Sequence, residues 1–188
     1  MPGYCAAATI VALVAMVLTR TLVLKREGIR AMHFGGIDRK DFLIPPFALL
    51  YFYIVFALAF KLPRPVHQEF FQSQTASWIG VACCGSGLSL MLASLVSFGR
   101  SFRVGIDSEH PDKLVTSGVF SFSRNPIYVA FALVLLGEFL IFPNWIFLAY
   151  AAAGTWLFHR QVLREEDFLR RRYGEEFTAY RERVRRYL

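Results

Sequence analysis

Four long apolar runs constrain this chain more than any other feature. They extend from about Tyr4 to Leu24, from Phe42 to Leu62, from Ala76 to Phe98 and from Ile127 to Phe158. The first three are each near the ~20 residues that carry an α-helix across a bilayer, whereas the fourth is too long for one span. Pro143-Asn144 sits in the middle of the fourth run and reads as a tight turn, because proline cannot continue a helical ladder. Its halves, Ile127–Phe142 and Trp145–Phe158, are then two antiparallel segments. The pattern predicts an all-α, polytopic membrane protein: five transmembrane helices, the last two forming a hairpin, followed by an amphipathic C-terminal helix on the cytoplasmic side. Two regions are expected, an N-terminal two-span region over residues 1–75 and a core over residues 76–188.

The balance of residues agrees with a membrane solvent. Of 188 residues 55% are hydrophobic, and the mean hydropathy is +0.42, more apolar surface than a water-soluble domain of this size covers. Orientation follows from basic residues near the segment ends. Lys25, Arg26, Arg30, Arg39 and Lys40 lie between the first two segments; Arg100, Arg103, Lys113 and Arg124 lie between the third and fourth; nine arginines fill the tail from Arg160 to Arg186. Only Lys61 and Arg64 lie on the opposite side. The positive-inside rule places the amino terminus outside and the connector and tail in the cytoplasm. Because the charges follow the first segment, it reads as a retained anchor and not as a cleaved signal.

A net charge of +7 does not indicate a nucleic-acid partner here, since the basic residues are interleaved with apolar runs instead of gathered on a soluble face. Cys5, Cys83 and Cys84 fall inside predicted spans without a CxxC pair and read as small packing residues. His33, His67, His110 and His159 are scattered, so no metal site is expected. Gly85-Ser86-Gly87 lacks the preceding strand and third glycine of a nucleotide loop and suits close helix approach.

Two polar regions are not explained by hydropathy. The connector DKLVTSGVFSFSRNPIY, from Asp112 to Tyr128, delivers Arg124, Asn125 and Tyr128 to the mouth of the hairpin. Directly after the last span comes Arg160-Gln161-Val162-Leu163-Arg164-Glu165-Glu166-Asp167. If that span continues as a helix, Gln161 and Glu165 share a face at i and i+4, and Arg160 with Arg164 forms the adjacent ridge. Beyond it, Phe168, Leu169, Tyr173, Phe177, Tyr180, Val184 and Leu188 recur at helical spacing, interrupted near Gly174. With arginines around them they describe a broken amphipathic helix for an anionic membrane surface, or a lid over the connector. Glu138, deep in the fourth segment, is an ionisable residue in a membrane and so marks either function or a hydrogen-bonded protonated acid.

The blocks LVTSGVFSFSRNPIY and, about 35 residues later, REEDFLRRRYGEEFTAYRERVRRYL resemble the membrane methyltransferases that include isoprenylcysteine carboxyl methyltransferase and phospholipid N-methyltransferases. The resemblance covers roughly Phe98 to Leu188. It implies an S-adenosylmethionine site held between connector and tail, without a Rossmann sheet, and a lipophilic or prenylated acceptor reaching it from the bilayer. Carried over, the cofactor residues are Asp112, Lys113, Leu114, Val115, Phe120, Arg124, Asn125, Pro126, Ile127, Tyr128 and Glu165. Three positions depart from the prenylcysteine enzymes. Asp112 stands for their histidine, Asn125 for the histidine of Arg-His-Pro, and Gln161 for the arginine that holds the acceptor carboxylate. Gln161 is the implied acceptor-binding position, and Arg160 or Arg164 is the implied substitute for that arginine.

In-line displacement at a sulfonium methyl needs chiefly proximity and alignment when the acceptor is a carboxylate or thiolate. An amine acceptor also needs a base, for which Glu166 is the nearest candidate. A phospholipid or other small amphiphile is the alternative acceptor. Two other classes compete: a nicotinamide-dependent membrane reductase, which a similar carboxy-terminal layout suggests, and a non-catalytic adaptor whose basic tail binds membrane lipids.

Overall fold

A computed structural model describes residues 1–27, 44–62, 69–99 and 114–188. Those residues form six α-helices and no strand: α1 (Pro2–Arg26), α2 (Ile44–Ala59), α3 (Gln74–Phe98), α4 (Pro126–Ile141), α5 (Trp145–Tyr173) and α6 (Glu175–Arg183). Local chemistry sets the boundaries. The Ser73 hydroxyl caps α3 by accepting from Ala76 N at 3.2 Å. Pro126 opens α4, where a missing N–H costs nothing. The chain turns at Phe142-Pro143-Asn144, and the Asn144 side chain then caps α5 by accepting from Ile146 N and Phe147 N at 3.0 and 3.2 Å. Gly174 ends α5 at φ 51°, a left-handed conformation that glycine adopts without strain.

Two helices, α1 and α3, at 25 residues each, are long and apolar enough to cross a membrane. The apolar helices α2 and α4, each 16 residues, are shorter than the ~20 residues of a full perpendicular span. α5 is one continuous helix of 29 residues, so the last apolar segment runs unbroken into the Arg160–Asp167 block.

Small residues bring α3 and α4 together. Gly80, Cys84 and Gly87 recur at i, i+4 and i+7 on α3 and face Ala130, Val134 and Gly137 on α4. A Cβ at Gly80 would lie 2.6 Å from the Gly137 carbonyl, and one at Gly87 2.8 Å from that of Ala130. The backbones therefore meet where dispersion contact is densest, the packing that stands in for hydrophobic force in lipid. Contacts between α4 and α5 run in opposite chain order. Phe142 meets Phe147 at 5.6 Å between ring centroids, Leu135 lies over Gly154, and Phe131 meets Phe158 at 5.2 Å. Ala6 and Ile10 of α1 and Tyr51, Ile54 and Val55 of α2 join Cys84, Ile141, Phe147 and Tyr150 in one core cluster.

The tail departs from a single amphipathic pattern. α6 ends at Arg183, and Val184 caps it in an extended conformation, so neither Val184 nor Leu188 belongs to the expected helix. The physical reason lies in backbone pairing: Arg124 N donates to Arg185 O at 2.9 Å, and Ser123 and Arg185 make an isolated parallel bridge. Phe177 and Tyr180 are buried inside the protein. The apolar face of α6 is thus folded onto the connector.

Candidate active site

The connector rests on the C-terminal end of α3. Gly118 stands at φ 64°, and a Cβ there would lie 2.3 Å from Ser97 Oγ, so only glycine lets the chain pass this close. Ser97 Oγ accepts from Val119 N at 3.3 Å. The 3-10 turn Gly118–Ser121 buries Phe120, whose ring packs edge-on against Phe98 at 4.5 Å. Tyr180 Oη donates to the Phe120 carbonyl at 2.7 Å, and burial pushes that phenol up to about 12, which keeps it a donor. Leu114 and Val115 are half-buried at the start of this segment, while Asp112 and Lys113 lie outside the described residues.

Next, the connector meets α5 and the chain end in an ion-paired knot centred on Glu166. Arg124 donates from Nε to Glu166 Oε1 at 3.1 Å, with its second terminal nitrogen 3.0 Å from the same oxygen. Arg186 donates from Nε to Oε2 at 3.0 Å, and Asn125 Nδ2 donates to Oε1 at 3.1 Å. The remaining donors reach backbone: Arg124 Nη1 bonds the carbonyls of Arg181 and Val184, and Asn125 Nδ2 that of Arg186. Burial alone would raise the Glu166 carboxyl. The hydrogen bond from Arg186 and the charge and hydrogen bond of Arg124 outweigh it and hold the group below its ordinary range. A carboxylate so held is a weak proton acceptor.

Glu165 belongs to a different cluster, because successive residues on a helix point about 100° apart. Tyr128 Oη donates to Glu165 Oε1 at 2.6 Å, and Gln161 Nε2 donates to the same oxygen at 3.1 Å. Burial pushes this carboxyl above its ordinary value, against both hydrogen bonds. Tyr128 also stacks at an angle on Phe158, with centroids 5.8 Å apart. Carboxylate, phenol and aromatic faces together suit a ligand bearing hydroxyl or amino donors and a positive charge.

The site residues read from the sequence thus divide between two networks. Arg124, Asn125 and Glu166 meet in the knot; Tyr128, Gln161 and Glu165 meet beside it. Pro126 is fully buried at the start of α4, and Ile127 packs on the α3–α4 contact. Arg160 projects from α5 with its guanidinium over the Trp156 ring at 4.9 Å, and Arg164 is exposed one turn on. The sequence pattern assigns no site role to Ser123, Tyr180, Arg186 or Tyr187. Ser123 Oγ accepts from Asn125 N at 3.2 Å, and Tyr187 Oη lies 2.8 Å from His159 Nδ1. Arg186 was one of nine tail arginines with nothing local to single it out.

The family model for phospholipid methyltransferase matches residues 75–176, more than half of the chain, and takes in both clusters except the tail. The chain is also 32% identical over 130 residues to protein-S-isoprenylcysteine O-methyltransferase of Mus musculus, covering 68% of this chain and 46% of that protein. The proteins of that name in Schizosaccharomyces pombe and Xenopus laevis are 28% and 27% identical over 127 and 128 residues, covering 66% of this chain in each case and 53% and 44% of the relatives. The chain therefore spans about half the length of the curated relatives it matches. No solved structure matches it. With the family match falling on α3, the connector, α4 and the whole of α5, the chain belongs to the phospholipid methyltransferase family.

Proposed function

We propose that this protein transfers a methyl group from S-adenosylmethionine to a lipophilic acceptor at the cytoplasmic face of a membrane. The observation that carries the reading is the Tyr128–Gln161–Glu165 cluster, built across α4 and α5 inside the matched span. The residues fit the cofactor. Both described hydrogen bonds to Glu165 fall on Oε1, which leaves Oε2 to accept from ribose hydroxyls, while Tyr128 and Phe158 offer aromatic faces to a sulfonium. When bound, S-adenosylmethionine supplies an electrophilic methyl on a positively charged sulfur. Glu165 and Tyr128 would orient it, with Phe120 and Pro126 as the packed floor and Leu114 and Val115 on the connector side; Asp112 and Lys113, implied by the resemblance, lie outside the described residues. Arg124, Asn125 and Glu166 form a latch that fixes connector, α5 and chain end in register. On this reading Glu166 is a positioning residue and not a base, since both its oxygens are engaged by guanidinium groups.

The membrane arrangement belongs to the same reading. It has five spans with α4 and α5 as the final hairpin, the amino terminus outside, and connector and tail in the cytoplasm, a reading that the distribution of arginine supports. The short α2 and α4 suit spans flanked by interfacial residues or a locally thinned bilayer.

The acceptor is a prenylcysteine-like carboxylate on the strength of the relatives' names. Gln161 is spent on Glu165, so the acceptor carboxylate falls to Arg160 or Arg164. A second reading, an amphiphile amine, is favoured by the absence of a guanidinium at position 161 and by the family's name. Transfer of a labelled methyl group to farnesylcysteine analogues and to a bilayer-lipid extract separates them. Losing a charge-assisted hydrogen bond costs about 1.5–3 kcal/mol, so restoring it in Gln161→Arg should improve turnover of the prenylated analogue roughly ten- to a hundredfold. Efficient wild-type turnover that does not improve in the variant, and falls in Arg160→Gln or Arg164→Gln, assigns the carboxylate to those arginines. Transfer to neither acceptor class contradicts the proposal.

A further inference from the structure

Arg20 is the only charged residue between Tyr4 and Leu24, the apolar run of α1. An ionisable side chain in a membrane segment carries a desolvation cost, so what it touches is informative. Arg20 lies one helical turn from Met16 and one from Leu24, on the face of α1 that packs against Met91, Leu95 and Ala130. Leu24 is wholly buried there, and Arg20 is half-buried beside it. Its Nη2 donates to the backbone carbonyl of Gly99, while Nε is buried with no hydrogen-bond partner among the described residues. The guanidinium is thus aimed at the end of α3.

Gly99 closes α3 at φ 52°, with its own N–H returning to the Val96 carbonyl. The last carbonyls of a helix lack intrahelical partners and carry partial negative charge, so a guanidinium there both supplies a hydrogen bond and complements the helix dipole. The two residues before Gly99 seat the connector. Ser97 Oγ accepts from Val119 N at 3.3 Å, and Phe98 packs edge-on against Phe120 with ring centroids 4.5 Å apart. From the Phe120 turn the chain passes through Arg124 and Asn125 into α4, where Tyr128 donates to Glu165. A second contact runs alongside: Ile127, next to Tyr128, packs on the same cluster as Leu24. In this way α1 supports the connector and the head of α4 from outside the family-matched residues 75–176.

We propose that Arg20 is a positioning residue for the methyl-transfer site. By capping the end of α3 from α1, it fixes the seat on which the connector turn rests, and through that turn the placement of Tyr128. The use of the site rests on the methyl-transfer reading, whereas the coupling between Arg20 and the connector does not. The rival role is plain helix glue, in which Arg20 fastens α1 to α3 and every part of the bundle loses stability alike without it.

Arg20→Met keeps an unbranched apolar stem and removes the charge; Arg20→Lys keeps a charge that can reach the same carbonyl. Each full-length protein, purified in lipid, is measured twice at a temperature where it is folded: by amide hydrogen exchange and by S-adenosylhomocysteine affinity. In Arg20→Met the amides of Val119, Phe120 and Phe122 should exchange several times faster than in wild type, while that of Leu148, at the far turn of the α4–α5 hairpin, stays unchanged. S-adenosylhomocysteine binding should weaken about tenfold or more, because a displacement of about 1 Å arising far from a site is enough for a large loss. Arg20→Lys should restore both toward wild type. Should Arg20→Met fail to fold, Arg20→Gln carries the same expectations. Connector exchange that is unchanged, or that rises equally with Leu148, overturns the inference in favour of plain glue. So does wild-type affinity in the uncharged variants. A wild-type protein that does not bind S-adenosylhomocysteine at all overturns the methyl-transfer reading and this role for Arg20 with it.

Discussion

Glu165 and Glu166 are adjacent in the chain and opposite in use. One is a half-buried carboxylate that shares an oxygen between Tyr128 and Gln161; the other is buried in a latch of two arginines and an asparagine. Removing Glu166 leaves Arg124 buried without its counter-charge, and breaking such a pair costs about 3–5 kcal/mol; the lower end applies because the Arg186 side chain is 37% exposed. Glu166→Ala should therefore unfold at clearly lower temperature than wild type. The pH dependence follows from the sign of the shift. The folded Glu166 carboxyl titrates below its ordinary 4.5, so the latch is at full strength above that value and weakens only as pH falls through the lower folded value. The gap in unfolding temperature between wild type and Glu166→Gln should accordingly stay constant from neutral pH down to about 4.5 and close beneath it. A gap that closes near neutral pH would show that the arginines do not hold this carboxylate.

At the level of elements, the contact between α3 and α4 is the most demanding piece of packing. Gly137→Leu would drive a side chain into Cys84 Sγ and the Gly80 carbonyl, each 2.6 Å from the first added atom, whereas no atom of the described residues lies within 4 Å of a Cβ at Gly85. Overpacking typically costs about 1–3 kcal/mol and more where backbone must move, so Gly137→Leu should destabilise the bundle while Gly85→Leu leaves its unfolding temperature close to wild type. Equal effects of the two would contradict the close approach. Elements were legible in the sequence where the signal is local. The turn at Pro143-Asn144, the proline that opens α4 and the break at Gly174 each act within a few residues of themselves. The pairing of Gln161 with Glu165 was legible for the same reason, as a single turn of one helix. Arg186 was not, because its partner lies twenty residues away beyond a helix break and eight other tail arginines look alike. The end of α6 was missed too, since the backbone pairing of Arg124 with Arg185 overrides an apolar spacing that would have continued the helix.

For the molecule as a whole, orientation decides which face meets the cofactor. If connector and tail are cytoplasmic, a cysteine at Glu175 in a Cys-free background should be labelled from the cytoplasmic side, and one at Gln72 from the opposite side. Labelling of both from one face would contradict the five-span arrangement. The central claim, that the α4–α5 cluster is a methyltransferase cofactor site, is tested most directly by S-adenosylhomocysteine binding to the purified protein in detergent. A ligand that binds only the folded state must raise the unfolding temperature with its concentration, by about 2.7 kcal/mol of stabilisation at a hundredfold excess over Kd. The account predicts such a rise for wild type, its loss in Glu165→Ala and Tyr128→Ala at unchanged expression, and no rise with NADPH. A wild-type protein that responds to NADPH alone, or variants that bind S-adenosylhomocysteine as wild type does, would contradict it.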